Sequence, residues 1–253
     1  MLRVIPQSLK KAVSFGHITL STIGSAATLL LSKKRGNLNR ESAEAVYKPW
    51  ALDNLERIGA KINVEGTPPT EPCILVGNHV SYLDIPLMWA TTDAVFVSKV
   101  EVRKWPVIGT AAEALGTIFV TRSSYASRAE TSKKITAGVL EQKNIICIFP
   151  EGTSGIEGTE WKRGVFKIAE KNNIKIHPFR IFYTPSRPAA FVGNDALLPH
   201  AWNLMNYAPF QVSIKFFEPV TITDANQDTQ VIQNIVQQSV RECLEKEKAE
   251  ASQ

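Results

Sequence analysis

Cys73-Ile74-Leu75-Val76-Gly77-Asn78-His79-Val80-Ser81-Tyr82-Leu83-Asp84-Ile85-Pro86 runs from an apolar stretch, through a polar loop, to a helix start. Residues 73–76 are short, apolar and partly β-branched, which predicts a buried strand. Pro86 suits the first turn of a helix, where its missing N–H costs nothing. His79 and Asp84 are five positions apart. On one helix their directions would differ by about 140°, so they could not share a face. They can meet only if His79 sits in the strand-to-helix loop and Asp84 near the start of the helix. A carboxylate placed there can accept a hydrogen bond from one imidazole nitrogen. That fixes the tautomer and leaves the other nitrogen basic and facing outward. The alternative is a plain capping aspartate with a loop histidine beside it.

Working outward, short apolar runs at 61–64, 94–98, 117–121, 145–149 and 211–217 predict further strands, and 127–141 and 228–248 predict helices. This alternation argues for an α/β domain with a central sheet. In such folds the functional loops gather at strand ends. Residues 40–58 read as helical, with Pro49 expected to divide the stretch. Leu52, Leu55 and Ile58 form an apolar stripe, and Gly59 stops the helix. The organisation read from this is an N-terminal helical region over residues 1–60 and a main domain over 61–253.

Three further strand ends carry polar groups. Phe149-Pro150-Glu151-Gly152-Thr153-Ser154 follows the 145–149 run and opens a loop with glycines at 152, 155 and 158. Glycines let backbone amides approach an anion closely, although the same residues also make an ordinary turn. Gly116-Thr117-Ile118-Phe119-Val120-Thr121-Arg122 ends a strand in a guanidinium, the side chain best suited to a bidentate phosphate contact. Lys99 directly follows another strand, and Lys162 and Arg163 lie beyond Glu151. If these strands are neighbours, the cations and His79 line one sheet edge; otherwise they are solvated surface charges.

Composition narrows the choice. The 253 residues include 44% hydrophobic ones and carry a formal net charge of +5, which suits an anionic partner without selecting one. The three cysteines have no C-x-x-C spacing, so neither a disulfide framework nor a zinc site is readable, and a reducing compartment is expected. There is no G-x-S-x-G elbow, no H-E-x-x-H pattern, no Walker or dinucleotide fingerprint, and no basic helix with a recognised nucleic-acid spacing. These gaps disfavour a serine hydrolase, a metallohydrolase, a nucleotide binder and a nucleic-acid partner. A non-catalytic lipid-binding protein would not need the His79/Asp84 pair.

Residues 12–32 contain no acidic or basic side chain apart from His17 and lie between Lys10, Lys11 and Lys33, Lys34, Arg35. The length suffices for a membrane span, but Ser, Thr and Gly are frequent and positive charge flanks both sides. An interfacial segment with both ends on one leaflet explains that symmetry, with a spanning helix and a packed core helix as alternatives.

Together these motifs resemble the glycerolipid acyltransferases of the lysophosphatidate (1-acylglycerol-3-phosphate) acyltransferase family. Asn78–Asp84 matches N-H-x-x-x-x-D, 116–122 resembles the second block, 149–153 is F-P-E-G-T, and Ile176-His177-Pro178-Phe179 resembles the apolar-proline fourth block. The resemblance spans roughly residues 70–182 and implies a central mixed sheet flanked by helices, with a membrane-associated N-terminal segment on the cytosolic face. It implies His79 as general base and Asp84 as its orienting partner. Arg122, Glu151 and Gly152 would belong to the acceptor site; Thr153 and, from the strand-end pattern, Lys99 and Lys162 are further candidates for binding substrate, with Lys162 or Arg163 able to replace a cation missing near the acceptor. No metal or bound cofactor is implied; acyl-CoA or acyl carrier protein is the co-substrate, and a lysophospholipid accepts the acyl group. The acceptor so implied is 1-acylglycerol-3-phosphate, giving phosphatidic acid. One position departs from the family pattern: Ser154 stands where Arg often follows F-P-E-G-T. That departure raises a second acceptor, a differently headed lysolipid such as lyso-ornithine lipid.

Overall fold

The computed structural model describes residues 6–105, 108–121, 125–156 and 158–252. Among the described residues seven strands build one sheet: β1 (Ala60–Glu65), β2 (Ile74–Gly77), β3 (Ala94–Lys99), β4 (Ile118–Val120), β5 (Ile145–Ile148), β6 (Ile176–Thr184) and β7 (Phe210–Phe216). Their order is β1-β7-β6-β2-β5-β3-β4. Strands β6, β2, β5, β3 and β4 are parallel; β7 runs antiparallel to β6, and β1 parallel to β7. The sheet is therefore mixed, and the parallel part places the ends of β2, β5, β3 and β4 along one edge.

Nine helices are seen among the described residues: α1 (Gln7–Lys34), α2 (Arg40–Arg57), α3 (Asp84–Thr91), α4 (Ile108–Ala114), α5 (Tyr125–Leu140), α6 (Gly164–Asn172), α7 (Ser186–Ala189), α8 (Leu197–Leu204) and α9 (Ala225–Ala251). The strands' two faces feed two cores, as a pleated sheet buried on both sides requires. Leu75, Phe96, Cys147, Phe179 and Ile214 pack with Leu29, Tyr47, Leu55, Leu87 and Leu204, so α1–α4 and α8 cover one face. Ile74, Val76, Ile146 and Ile176 pack with Ile135, Phe166, Ile232 and Val236, so α5, α6 and α9 cover the other. Cys73 and Cys147 are free and buried, as their apolar settings predict.

One expectation needs correction, and one strand was not anticipated. Helix α2 is continuous through Pro49. Proline removes a hydrogen bond there, but Tyr47, Ala51 and Leu55 are buried around it and Trp50 packs edge-on against Trp89 at 5.8 Å. That packing offsets the missing bond. Strand β6 runs on to Thr184, well beyond the four residues singled out in the sequence, and all but its last residue are buried. A strand covered on both faces shows no polar alternation to mark its end.

Candidate active site

Strand β2 ends at Gly77, where a Cβ would meet the Phe179 ring and carbonyl oxygen at 2.5 Å. Only glycine lets β2 and β6 approach this closely. One residue on, the Asn78 side chain continues the ladder: its Nδ2 donates to the Ile181 carbonyl, and its Oδ1 accepts from the Ile181 N–H, each at 2.8 Å. The chain then leaves the sheet, and His79 is the first residue of the loop.

The imidazole faces Asp84, the first residue of α3. Nδ1 lies 2.7 Å from Asp84 Oδ2. The same oxygen accepts from the Val80 N–H at 2.7 Å and the Ser81 N–H at 3.1 Å. Oδ1 accepts from the Tyr183 hydroxyl at 2.7 Å. Asp84 is fully buried, so these four donors replace its hydration. A carboxylate only accepts, so Nδ1 carries the proton and Nε2 is the basic nitrogen. The contacts separate the two sequence alternatives: Asp84 accepts from loop amides that precede α3 and caps no amide of the helix, and it orients His79. The ring stacks on Phe149 at 4.2 Å with planes 15° apart. Its side chain keeps 21% exposure, enough for a substrate hydroxyl to reach it.

Glu151 follows the neighbouring strand β5 and is buried. Its Oε2 accepts weakly from the His79 N–H at 3.4 Å, and its Oε1 from Trp161 Nε1 at 3.3 Å. Burial pushes its carboxyl up to about 7, against the pull of those donors. Gly152 has φ +75, a left-handed conformation glycine adopts without strain. The loop then folds back, with the Gly155 N–H donating to the His79 carbonyl at 2.8 Å. Loop 149–155 is therefore a brace under His79. Thr153 and Lys162 are exposed.

The remaining expected residues lie farther along the edge. Lys99 is exposed at the end of β3, two strands from β2, a separation of about 10 Å at ordinary sheet spacing. Arg122 lies outside the described residues. Ser154, at the position where a guanidinium is usual, donates its hydroxyl to the Phe191 carbonyl at 2.6 Å. Arg163 turns away to Asn226, in the first turn of α9. Among the described residues no group of three or more His, Cys, Asp or Glu could hold a metal ion.

Two site residues escaped sequence reasoning. Tyr183 sits 99 positions beyond Asp84, and burial together with the Asp84 carboxylate holds its phenol well above the usual range, so it stays a donor. Trp161 closes the pocket around Glu151. A strand read on through the apolar-proline block would have placed Tyr183 in the sheet beside Asn78, but no local motif marks it.

Comparison with known proteins agrees with this architecture. A family model described as Acyltransferase matches residues 61–182. A Pseudomonas aeruginosa protein, lyso-ornithine lipid O-acyltransferase, is 34% identical over 219 residues, covering 84% of each chain. The 1-acyl-sn-glycerol-3-phosphate acyltransferase of Neisseria gonorrhoeae is 26% identical, covering 80% of this chain and 81% of its own. The crystal structure of a 1-acyl-sn-glycerophosphate acyltransferase from Thermotoga maritima superposes with a TM-score of 0.67 at 20% identity, covering 92% of this chain and 97% of its own; it shares the fold. With the His-Asp pair on the α3 edge of a mixed sheet and a relative this similar along most of its length, the chain belongs to the acyltransferase family.

Proposed function

We propose that this acyltransferase moves a fatty acyl group from a thioester, acyl-CoA or acyl carrier protein, to the hydroxyl of a lysolipid held at a membrane surface. The observation that carries the reading is the His79–Asp84 pair, with Nδ1 committed to the carboxylate and Nε2 left to take a proton. The acceptor hydroxyl donates to Nε2 as its oxygen attacks the thioester carbonyl. The thiolate leaves, and the imidazolium returns the proton to it. The buried Asp84 carboxylate stabilises that imidazolium, and general-base assistance of this kind contributes roughly 10²–10⁴ in rate. Glu151 acts through the brace under His79; it is too enclosed to grip an anionic headgroup.

For the acceptor we favour a lyso-ornithine lipid. Ser154 stands in place of a cation and spends its hydroxyl on the Phe191 carbonyl, so the loop offers less for a phosphate. Several relatives named for that activity, one at 34% identity, support the choice. The second reading is 1-acylglycerol-3-phosphate, favoured by the Neisseria relative and by the exposed cations Lys99 and Lys162.

Helix α1 is the membrane seat in this reading. By length and composition it could cross a bilayer, and little of it is buried. It lies against the body along its whole length, however. His17 meets Asp53 at 2.9 Å, Ser21 donates to Asn54 at 3.0 Å, Trp50 donates to Thr22 at 3.1 Å, and Lys33 pairs with Glu113 at 3.6 Å. The opposite face exposes Leu9, Val13, Leu20, Ile23 and Leu31, one apolar stripe at helical spacing. A helix held flat with an apolar outer stripe and basic ends suits the plane of the interface, on the cytosolic leaflet where the acyl donors are. The test is to incubate purified protein with 1-acylglycerol-3-phosphate, lyso-ornithine lipid and a lysophosphatidylcholine control, each with acyl-CoA and acyl carrier protein. Products are identified by mass; acylated ornithine lipid is the expected product, and no acylated lysolipid under any pairing overturns the proposal.

A further inference from the structure

Helix α8 has two working faces. On one, Leu198 is 62% and Trp202 39% exposed, one turn apart, and Tyr207 just beyond the helix is also exposed. This face adjoins α1. The Phe15 ring meets Trp202 edge-on at 5.4 Å, Lys11 lies 4.3 Å over the indole, and the Lys11 ammonium donates to Asn206 at 2.6 Å. On the other face, His200 Nε2 lies 3.0 Å from the Ala190 carbonyl, which can only accept. Nδ1 is therefore the acceptor, and it takes the Tyr82 hydroxyl at 3.2 Å. Tyr82 belongs to the loop between His79 and Asp84. The segment before α8 grips the same loop, the Phe191 N–H donating to the Val80 carbonyl at 3.0 Å.

From this we infer that α8 is a second lipid-contact element, packed beside α1, and that it seats Leu198, Trp202 and Tyr207 in the headgroup region of an anionic bilayer. Two features besides the contact with α1 fit that occupant. Tryptophan and tyrosine favour the interface, where ring and polar tip are both satisfied. Lys10 and Lys11 stand at the junction and complement anionic headgroups. Because α8 also holds Tyr82, the element that meets the lipid is the one that braces the catalytic loop. The inference rests on the membrane reading of α1, so its test separates the two.

The test uses the full chain, co-sedimented with equimolar phosphatidylglycerol–phosphatidylcholine vesicles, as wild type, Leu198→Asp and Leu20→Asp. Acyl transfer is followed with a vesicle-embedded acceptor and with a short-chain, water-soluble one. We expect Leu198→Asp to weaken vesicle partition about tenfold, since an apolar contact is exchanged for a charge. Transfer to the vesicle-embedded acceptor should fall in parallel, and transfer to the soluble acceptor should stay at the wild-type rate. Wild-type partition in Leu198→Asp, with Leu20→Asp weakened, overturns the role of α8 and leaves α1 standing. Wild-type partition in both removes the membrane reading itself. If Leu198→Asp instead changes self-association by light scattering while partition is unchanged, the face joins copies of the chain and the inference fails. Should Leu198→Asp also lose soluble-acceptor activity, Leu198→Ala decides: partition weakened about threefold supports the seat, and unchanged partition refutes it.

Discussion

Asp84→Asn isolates the charge of the carboxylate from its geometry. Oδ2 gathers three donors, from His79 Nδ1, Val80 N and Ser81 N, while Oδ1 meets only the Tyr183 hydroxyl. An asparagine amide placed at the Oδ2 position would face three N–H groups. The carbonyl therefore takes that position, and the amide turns to Tyr183, whose hydroxyl can rotate to accept. His79 keeps its tautomer. What disappears is the negative charge that faces the imidazolium during transfer. Two unit charges about 4 Å apart interact by about 4 kcal/mol at an effective dielectric near 20. His79 is partly exposed and the amide dipole retains some of the effect, so we expect kcat to fall about 10²–10³-fold. KM for both substrates should stay within about twofold, because no substrate-binding group is removed. The assay is saturating acyl transfer with product identified by mass, alongside a circular-dichroism melt to show that the variant folds. A kcat within about threefold of wild type would refute the reasoning. So would a loss near 10⁴, which in serine proteases accompanies an inverted tautomer.

Other expectations follow from the same geometry. Tyr183→Phe leaves Asp84 Oδ1 unsatisfied in a dry setting, so it should destabilise the fold by about 1–3 kcal/mol in chemical denaturation; unchanged stability contradicts the buried bond. Glu151 holds its proton up to about 7 when folded but near its ordinary 4.5 when unfolded, so it contributes stability below pH 4.5 that is lost as pH rises through 7, by about 3 kcal/mol. The melting temperature of Glu151→Gln relative to wild type should therefore climb between pH 5 and pH 8, and a pH-independent difference refutes the assignment. Arg122→Ala should raise KM for the lysolipid with the acyl-donor KM little changed; a defect confined to the donor refutes an acceptor role. Lys162→Ala should weaken a phosphate-bearing acceptor more than a zwitterionic one if it supplies the charge missing at Ser154, and equal effects on the two would exclude that.

The site was readable where chemistry and chain geometry coincide locally. A strand, a loop histidine, an aspartate five residues on and a proline two further let the two side chains meet in one way, and the 2.7 Å contact has it. The parallel strands followed from apolar runs closed by turns, which is why β2, β3 and β5 fell within a residue or two of their expected ends. Tyr183 was not readable, because its contact with Asp84 spans 99 positions and its strand is buried on both faces. The brace on Glu151 was obscured for the opposite reason: a carboxylate in a Pro-Glu-Gly turn looks like a surface group, and only the fold shows Trp161 closing over it. Pro49 misled because a local rule was outweighed by tertiary packing, as happens when a helix is covered by aromatic rings.

The central claim is that His79 supplies the base for acyl transfer to a lysolipid. The direct measurement is the single-turnover rate for wild type and His79→Ala with acyl-CoA or acyl carrier protein and the acceptor that the lysolipid panel selects, both proteins shown folded by circular dichroism. The account predicts that the variant loses about 10²–10⁴ in rate with its melting temperature near wild type; a folded His79→Ala protein that keeps more than about a tenth of the wild-type rate would contradict it.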